Sequence, residues 1–197
     1  MQPSDSIALQ EQGMSALNVV QRSCQALFEY ANGAAIEVGN GMPGPTSLTR
    51  MELRAQILAM EAAVIAGAAA GEVETVDLDA TLTLRHIFAP GAYAREMSIP
   101  AGHWAFGKIH KHAHLSFITK GRIAVLTEDG PNVITAPYTF VNTPGTKRFV
   151  FALEDTIWST VHVTEETDLS KIEEHVIAKS YDELPTIEAE NSQEKLP

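Results

Sequence analysis

The stretch GHWAFGKIHKHAHLSFITKG, residues 102–121, decides the fold of this chain. It contains two runs, WAFGKIH and LSFIT, with the composition of β-strands. Three histidines stand there at alternate positions, His110, His112 and His114. In one extended strand, alternate side chains point to the same face. The three imidazoles could therefore hold a divalent transition metal such as Zn, Fe, Mn, Ni or Cu, unless the strand simply presents them to solvent.

The same β-rich composition continues on both sides of this stretch. Eight or nine short runs of β-branched and aromatic residues follow one another between residues 82 and 163, and turns containing Gly or Pro separate them. No helical pattern interrupts the runs. The arrangement predicts a mainly β fold, an antiparallel sandwich or barrel, and argues against a doubly wound α/β fold.

The two ends of the chain have helical periodicity instead. Apolar residues at three- and four-residue steps predict a helix over residues 17–31. A second helix is predicted after Thr49, which forms a capping box with Glu52. A helix pair this small is not stable alone, so we expect it to pack on the rest of the chain or on another subunit. A further helix, capped by Asp168 or Ser170, is predicted to run to about Lys179.

These patterns divide the chain into three segments. Residues 1–73 form an N-terminal helical extension, residues 74–166 the β-barrel, and residues 167–197 a C-terminal helix and acidic tail. The tail is polar and contains proline, which indicates a loose terminus or an arm that becomes ordered on a partner.

The charge balance limits the partners. The chain has 14 Lys and Arg residues against 25 Asp and Glu residues, a net charge of −11, so we expect no binding to nucleic acid or to an anionic membrane through overall charge. We expect neither a secretion signal nor an apolar segment that spans a bilayer. The single cysteine, Cys24, excludes an intramolecular disulfide and a cysteine-based zinc cluster, and its apolar helical position indicates a core residue.

The stretch quoted first resembles the first motif of the cupin superfamily, G-x5-H-x-H-x3-E-x6-G. With Gly102 and Gly121 as anchors, the spacing agrees throughout. The two His positions of the motif then fall on Lys108 and His110, and the Glu position falls on His114.

The second cupin motif, G-x5-P-x-G-x2-H-x3-N, is similar to PYTFVNTPGTKRFVFA, residues 137–152, where Gly145 matches and Arg148 takes the His position. The resemblance covers roughly residues 82–164. It implies an RmlC-like cupin fold, an antiparallel jelly-roll barrel whose pocket lies between the two motifs. It also implies a homo-oligomer, since cupins often pair through their barrels.

The departures from the family pattern leave two interpretations of the pocket. Of the four usual ligand positions, only His110 keeps the family residue, while Lys108 and Arg148 are cations that repel a metal ion and suit an anionic group. In one interpretation, His110, His112 and His114 hold a metal. In the other, the metal site is lost, and the two cations face a carboxylate, a phosphate or a sugar, or pair with acidic neighbours.

The last predicted strand adds two residues to the candidate site. In TIWSTVHV, residues 156–163, alternation places Trp158, Thr160 and His162 on one face, which suits the interior of a small barrel. Trp158 and His162 therefore join the two cations as candidate ligand-binding residues. A core histidine is the alternative for His162.

The running text of the barrel is also similar to small cupin-like proteins encoded in tailed-bacteriophage and prophage genomes. The similar stretches are residues 99–115, 116–130 and 136–169. The resemblance implies a phage protein, located in the virion or in the cytoplasm of the host bacterium. Other virion proteins would then contact its N-terminal helices and C-terminal tail.

Three functions are compatible with these observations. The sequence favours a non-enzymatic phage-type protein, a virion structural or accessory component whose barrel is a scaffold or a small-ligand pocket. The second is a metal-dependent cupin enzyme, a dioxygenase or isomerase acting on a small anionic or sugar substrate. The third is a sponge or sensor for a small ligand. Whether a metal is bound is left open.

Overall fold

A computed structural model describes residues 16–33, 49–71 and 83–184. Strands are the commonest regular structure in the described chain. The eleven strands of the described residues are β1 (Thr83–Ala89), β2 (Ala92–Ile99), β3 (Trp104–Phe106), β4 (Ile109–His110), β5 (His114–Lys120), β6 (Arg122–Thr127), β7 (Gly130–Thr135), β8 (Tyr138–Asn142), β9 (Arg148–Ala152), β10 (Thr156–Val163) and β11 (Ile177–Ala178). The helices are α1 (Ala16–Ala31), α2 (Arg50–Ala69) and α3 (Leu169–Val176), followed by a 3₁₀ turn (Tyr181–Glu183).

The strands form two main antiparallel sheets that face each other. The five-stranded sheet has the order β1-β2-β10-β5-β8, the four-stranded sheet has the order β3-β9-β6-β7, and β4 pairs with β11. Consecutive strands repeatedly change sheet. Ile118 and Trp158 of the first sheet pack against Ile123 and Val150 of the second in a shared core. The antiparallel jelly-roll barrel predicted from the sequence is confirmed.

The turn between β5 and β6 requires a glycine. Gly121 has φ of +85°, a region that side chains with a Cβ rarely adopt. A Cβ at this position would lie 2.8 Å from the Cα of Thr156. Gly121, the end anchor of the first motif, therefore lets the β5–β6 turn lie directly against the start of β10.

The helix pair packs on the outer face of the four-stranded sheet. Val20 and Leu27 of α1 and Ile57 of α2 share a buried cluster with Leu126 and Phe149 of the barrel. Of the two options predicted for this pair, the structure therefore shows packing on the rest of the chain. The hydrophobic effect that stabilises the helices comes from the barrel surface that they cover.

Local details of the helices agree with the sequence at most positions. The capping box of Thr49 and Glu52 is present at the start of α2. Cys24 lies beside the helix–barrel cluster, and burial raises the pKa of its thiol to about 12, which suits a core residue. In α1 the apolar Phe28 is 48% exposed, while the polar Ser23 is buried.

The C-terminal helix is shorter than predicted. It begins at the N-cap Asp168, one of the two predicted caps, but ends at Val176. Ile177 and Ala178 then pair with β4, so backbone pairing replaces the last helical turn. In the described ranges no helix is both long and apolar enough to cross a membrane.

Parts of the predicted organisation lie outside the described residues. These parts include the boundary near residue 73 and the acidic tail from residue 185. The division into three segments therefore stays a prediction.

Candidate metal centre

A cavity of about 400 Å³ lies between the two sheets, and α3 covers one side of it. Apolar side chains such as Met97, Val150 and Ile172 form part of its wall. Imidazole and guanidinium groups form the rest. A cavity with mainly apolar walls and a few convergent polar groups is the usual form of a small-molecule site.

Three histidines converge at this cavity from three strands. His110 ends β4, His114 begins β5, and His162 lies near the end of β10. The ring centroid of His114 lies 4.1 Å from that of His110 and 4.6 Å from that of His162. One ring nitrogen from each residue lies within 4.8 Å of the others. We call these three residues the histidine cluster.

The hydrogen bonds of the histidine cluster leave nitrogen atoms free to accept a ligand. Nδ1 of His114 lies 3.2 Å from the carbonyl oxygen of His112. Because a carbonyl oxygen only accepts, Nδ1 carries the proton and Nε2 keeps its lone pair. Among the described residues, Nδ1 of His110 is buried without a hydrogen-bond partner, which is unfavourable for a polar atom unless a bound group completes it.

All three imidazoles are held in the neutral form. Burial, reinforced by neighbouring positive charge, lowers the pKa of His110 to about 2 and that of His162 to about 4. Burial also lowers the pKa of His114. Only a neutral imidazole has a lone pair for a metal, so the histidine cluster is ready to coordinate at neutral pH.

The donor set fits a divalent transition metal. Two nitrogens bound at roughly 2.1 Å to one tetrahedral ion lie roughly 3.4 Å apart. Nitrogens that already lie within 4.8 Å of one another need only small side-chain rotations to reach that spacing. Three imidazoles suit Zn, Fe, Ni or Cu better than Mg or Ca, and they leave at least one coordination position open.

The structure places His112 outside the histidine cluster. Residues 111–113 form a bend between β4 and β5, so the alternation expected for one continuous strand does not hold there. His112 is exposed, and its ring lies 5.0 Å from the ring of His175 on α3. The third position is taken by His162. Its strand is continuous, so Trp158, Thr160 and His162 all line the cavity as alternation predicts.

Arg148 enters the cavity beside the histidine cluster. Its guanidinium lies 5.5 Å from the ring centroid of Trp158, in the geometry of a cation–π contact. Burial lowers the pKa of Arg148 to about 10, which leaves it charged at neutral pH. Gly107 makes room for this side chain, since a Cβ at Gly107 would lie 2.6 Å from Cγ of Arg148.

Arg95 on β2 is a second cation in the cavity wall, and the sequence analysis missed it. Its position could have been found from strand alternation, because Tyr93, Arg95 and Met97 occupy the inward positions of β2. Within residues 16–33, 49–71 and 83–184, neither Arg95 nor Arg148 forms a salt bridge with an acidic side chain.

Lys108, the other cation predicted for the pocket, is already paired. It lines the cavity, but its ammonium forms an ion pair with Glu173 of α3. Both side chains are more than half exposed, so this pair lies at the mouth of the cavity. Among the described residues, the positive charge in the cavity that lacks an acidic partner therefore comes from the two arginines.

The backbone is similar to solved cupin structures at low sequence identity. KdgF from Halomonas sp. is 17% identical over 50% of this chain and 91% of that chain, with a TM-score of 0.39. An RmlC-like cupin from Shewanella frigidimarina is also 17% identical over 50% of this chain and 88% of its own, with a TM-score of 0.39. The cupin domain of Schizosaccharomyces pombe Cnp3 is 20% identical over 43% and 66%, with a TM-score of 0.36.

Neither a protein-family model nor a curated protein matches the chain. At these identities the likeness concerns the fold, and function has to be inferred from the side chains of the cavity. The resemblance to phage-encoded proteins stays a prediction.

Proposed function

We propose that this protein is a metal-dependent enzyme that acts on a small carboxylate-bearing substrate. The metal is held by His110, His114 and His162, and Arg148 binds the carboxylate beside it. The observation that carries the proposal is the convergence of three neutral imidazoles at one cavity. Three protein ligands with an open position are typical of catalytic metals, whereas structural sites are fully closed by protein.

The chain's own residues have distinct tasks in this proposal. When bound, the metal supplies Lewis acidity toward a substrate oxygen. Arg148 offers a planar pair of N–H donors that matches a carboxylate, and the ring of Trp158 fixes the plane of the guanidinium. Arg95 adds a second positive charge, which favours substrates with more than one anionic group. The apolar wall keeps the contacts in a low-dielectric environment.

The non-enzymatic phage interpretation loses two of its motivations. It depended partly on the incomplete ligand set and on helices without a partner. His162 supplies a third imidazole, and the helices cover the chain's own barrel. The phage interpretation is tested by whether the protein is present in purified phage particles. The third interpretation, a sponge or sensor, predicts that the protein binds the carboxylate without turnover.

Metal content per chain tests the proposal directly. We expect about one equivalent of metal, measured by plasma mass spectrometry on protein purified without a histidine tag. His162→Ala removes a ligand and is expected to abolish retention of the metal. His112→Ala is the matched control, since this exposed histidine lies between two proposed ligands in the sequence, and it is expected to leave the metal in place.

The opposite pattern would contradict this ligand set. In that case the His112→Ala variant would lose its metal and the His162→Ala variant would keep it. A chain that takes up no transition metal even on titration would contradict the metal centre itself. Far-UV circular dichroism of each metal-free variant checks that the barrel is retained.

A further inference from the structure

The wall of the cavity formed by β1 and β2 carries a tyrosine–histidine pair that the proposed function does not use. Nδ1 of His86 lies 2.7 Å from Oη of Tyr93, and both side chains line the cavity. Tyr93 is only 4% exposed, whereas His86 is exposed. The pair therefore connects the interior of the cavity with its solvent-facing edge.

Strand register places this pair beside the histidine cluster. Tyr93 stands opposite His162 across β2 and β10, and the centroids of the two rings lie 6.2 Å apart. The other neighbour of the Tyr93 ring is the ring of His86, at 5.9 Å between centroids. Residues directly opposed in an antiparallel pair have their Cβ atoms roughly 5 Å apart, so Tyr93 lies in the same part of the cavity as the proposed metal.

Arg95 occupies the next inward position of β2. Its neighbours across the sheet are His86 on β1 and Thr160 on β10. Successive inward positions of a strand are roughly 7 Å apart, so Arg95 lies one such step from the row of Tyr93 and His162. Burial lowers the pKa of His162, and the positive charge of Arg95 contributes to this shift. The guanidinium of Arg95 therefore lies close enough to share a small ligand with the histidine cluster.

The hydroxyl of Tyr93 is a donor that can serve a ligand in the cavity. A phenol is protonated at neutral pH, and burial raises the pKa of Tyr93 further. When the proton of the His86 ring is on Nδ1, the imidazole donates to Oη of Tyr93 and the phenol proton is left for another acceptor. Beside the positive charge of Arg95, the acceptor that fits best is an anionic oxygen.

Arg148 reaches the cavity from the facing wall. It belongs to β9 of the four-stranded sheet, while Arg95 and Tyr93 belong to β2 of the five-stranded sheet. In the part of the chain that the structure describes, neither arginine forms a salt bridge with an acidic side chain. Two cations on facing walls suit a ligand with two anionic groups, since each guanidinium can then bind its own pair of oxygens.

We infer that Arg95 and Tyr93 form a second anion subsite and that the substrate is a small dicarboxylate. The inference rests on the proposed function, in which Arg148 binds one carboxylate beside the metal. Arg95 and the Tyr93 hydroxyl bind the other carboxylate. His86 is a positioning residue, because its hydrogen bond to Oη directs the phenol proton into the cavity. The cavity, of about 400 Å³, has room for an unbranched dicarboxylate.

Calorimetric titration of metal-loaded protein with matched acids tests the second subsite. Malonate, succinate and glutarate are each compared with the monocarboxylate of equal carbon number, namely propionate, butyrate and valerate. We expect at least one dicarboxylate to bind more than roughly tenfold more tightly than its matched monocarboxylate, because it forms a second charge-assisted contact. Arg95→Met is expected to remove this advantage while leaving the affinity for the monocarboxylate nearly unchanged.

Tyr93→Phe removes only the hydroxyl, and we expect it to weaken the same dicarboxylate roughly threefold without affecting the monocarboxylate. His86→Ala is expected to have the same effect alone and no further effect in the Tyr93→Phe background, because both changes remove one donor. Arg85→Met is the matched control, since Arg85 also lies on β1 but is 65% exposed and pairs with Glu96. It should leave both affinities unchanged. Circular dichroism and metal content confirm that each variant retains the barrel and its metal.

The outcomes separate this inference from the proposed function. Protein that binds the monocarboxylates through Arg148 but prefers none of the dicarboxylates would overturn the second subsite and leave the proposed function standing. Equal losses of both kinds of acid in Arg95→Met would also overturn it, because the two arginines would then bind a single carboxylate. If no acid binds at all, the carboxylate of the proposed function is contradicted, and the second subsite with it.

Discussion

Charged groups are buried in two regions of this protein, and the two regions treat them differently. At the junction between α2 and the barrel, buried Glu128 accepts hydrogen bonds from Arg50 at 2.8 Å and from Arg54 at 2.6 Å. Nearby, buried Lys147 donates to Glu61 at 2.7 Å. Each buried charge at this junction has an opposite charge beside it, as expected where ion pairs join two elements.

The cavity lacks this balance. In the described part of the chain, Arg95 and Arg148 have no acidic partner, and Nδ1 of His110 has no hydrogen-bond partner. Folding that leaves such groups unpaired is unfavourable, which supports the ligand site proposed for the cavity. The junction is therefore structural, whereas the cavity is the proposed ligand site.

The largest expected effect is acid destabilisation of the metal-free protein through the cavity. The unfolded chain protonates its imidazoles below about pH 6.5, whereas folded His162 does so only near pH 4 and His110 near pH 2. The contribution of these imidazoles to the free energy of unfolding is therefore fully present above about pH 7. It falls as the pH decreases through 6.5 toward 4, because the unfolded state then binds more protons. By about pH 5, each of the two imidazoles lowers the free energy of unfolding by about 2 kcal/mol.

Urea unfolding of metal-free protein at several pH values measures this effect. The double variant His110→Asn, His162→Asn is expected to flatten the dependence, while His112→Asn keeps it. An equal slope in the wild type and the double variant would mean that the imidazoles are not buried in neutral form.

At the junction, Glu128→Gln is expected to destabilise the protein by about 3 kcal/mol, because it leaves two guanidinium groups without their carboxylate. Asp129→Asn is the control. The Asp129 side chain is 61% exposed and binds the same Arg50, so we expect this change to destabilise the protein by only about 0.5 kcal/mol. Metal content should not change in either variant. A loss of stability no greater than that of the control would remove the distinction between junction and cavity.

In the cavity, Arg148→Met is expected to stabilise the fold, in contrast to Glu128→Gln, and to weaken ligand binding. Removing an unpaired buried charge should raise stability by about 1 kcal/mol. Affinity for a small dicarboxylate such as malonate should fall about tenfold, since a charge-assisted pair is lost. Calorimetric titration of metal-loaded protein measures the affinity.

Lys108→Met serves as the control for Arg148, because Lys108 is already paired with Glu173 at the cavity mouth. It should leave malonate affinity nearly unchanged. If Arg148→Met destabilises the fold as Glu128→Gln does, the guanidinium has a structural partner and the ligand interpretation of this side of the cavity fails.

The smallest expected effect concerns Gly107. Gly107→Ala forces Arg148 away from its position, since the new Cβ would lie 2.6 Å from Cγ of Arg148. We expect a roughly threefold loss of malonate affinity at unchanged metal content. Affinity equal to that of the wild type would show that the carboxylate does not depend on the observed position of Arg148.

The sequence predicted those features that depend on regular strands. Alternation along β10 correctly placed Trp158 and His162 in the barrel interior, and the motif spacing brought His110 and His114 into the same cavity. Alternation does not hold at His112, because the chain bends there between two strands that belong to different sheets. No periodic pattern reports such a bend.

Long-range contacts between charged side chains are the second kind of feature that the sequence did not predict. Lys108 is neutralised by Glu173, which stands 65 residues later on a helix that covers the cavity. The pairing of α2 with the barrel through Glu128 likewise depends on packing that no local pattern shows. A charged residue that faces the cavity can be found from alternation, as Arg95 illustrates, but its partner cannot.

An anomalous-difference map from crystals of metal-loaded protein, collected at the absorption edge of the metal, tests the central claim most directly. We predict one strong peak between the imidazoles of His110, His114 and His162, with open space toward Arg148. A peak between His112 and His175 at the surface, or no peak in the cavity of a fully loaded protein, would contradict the claim.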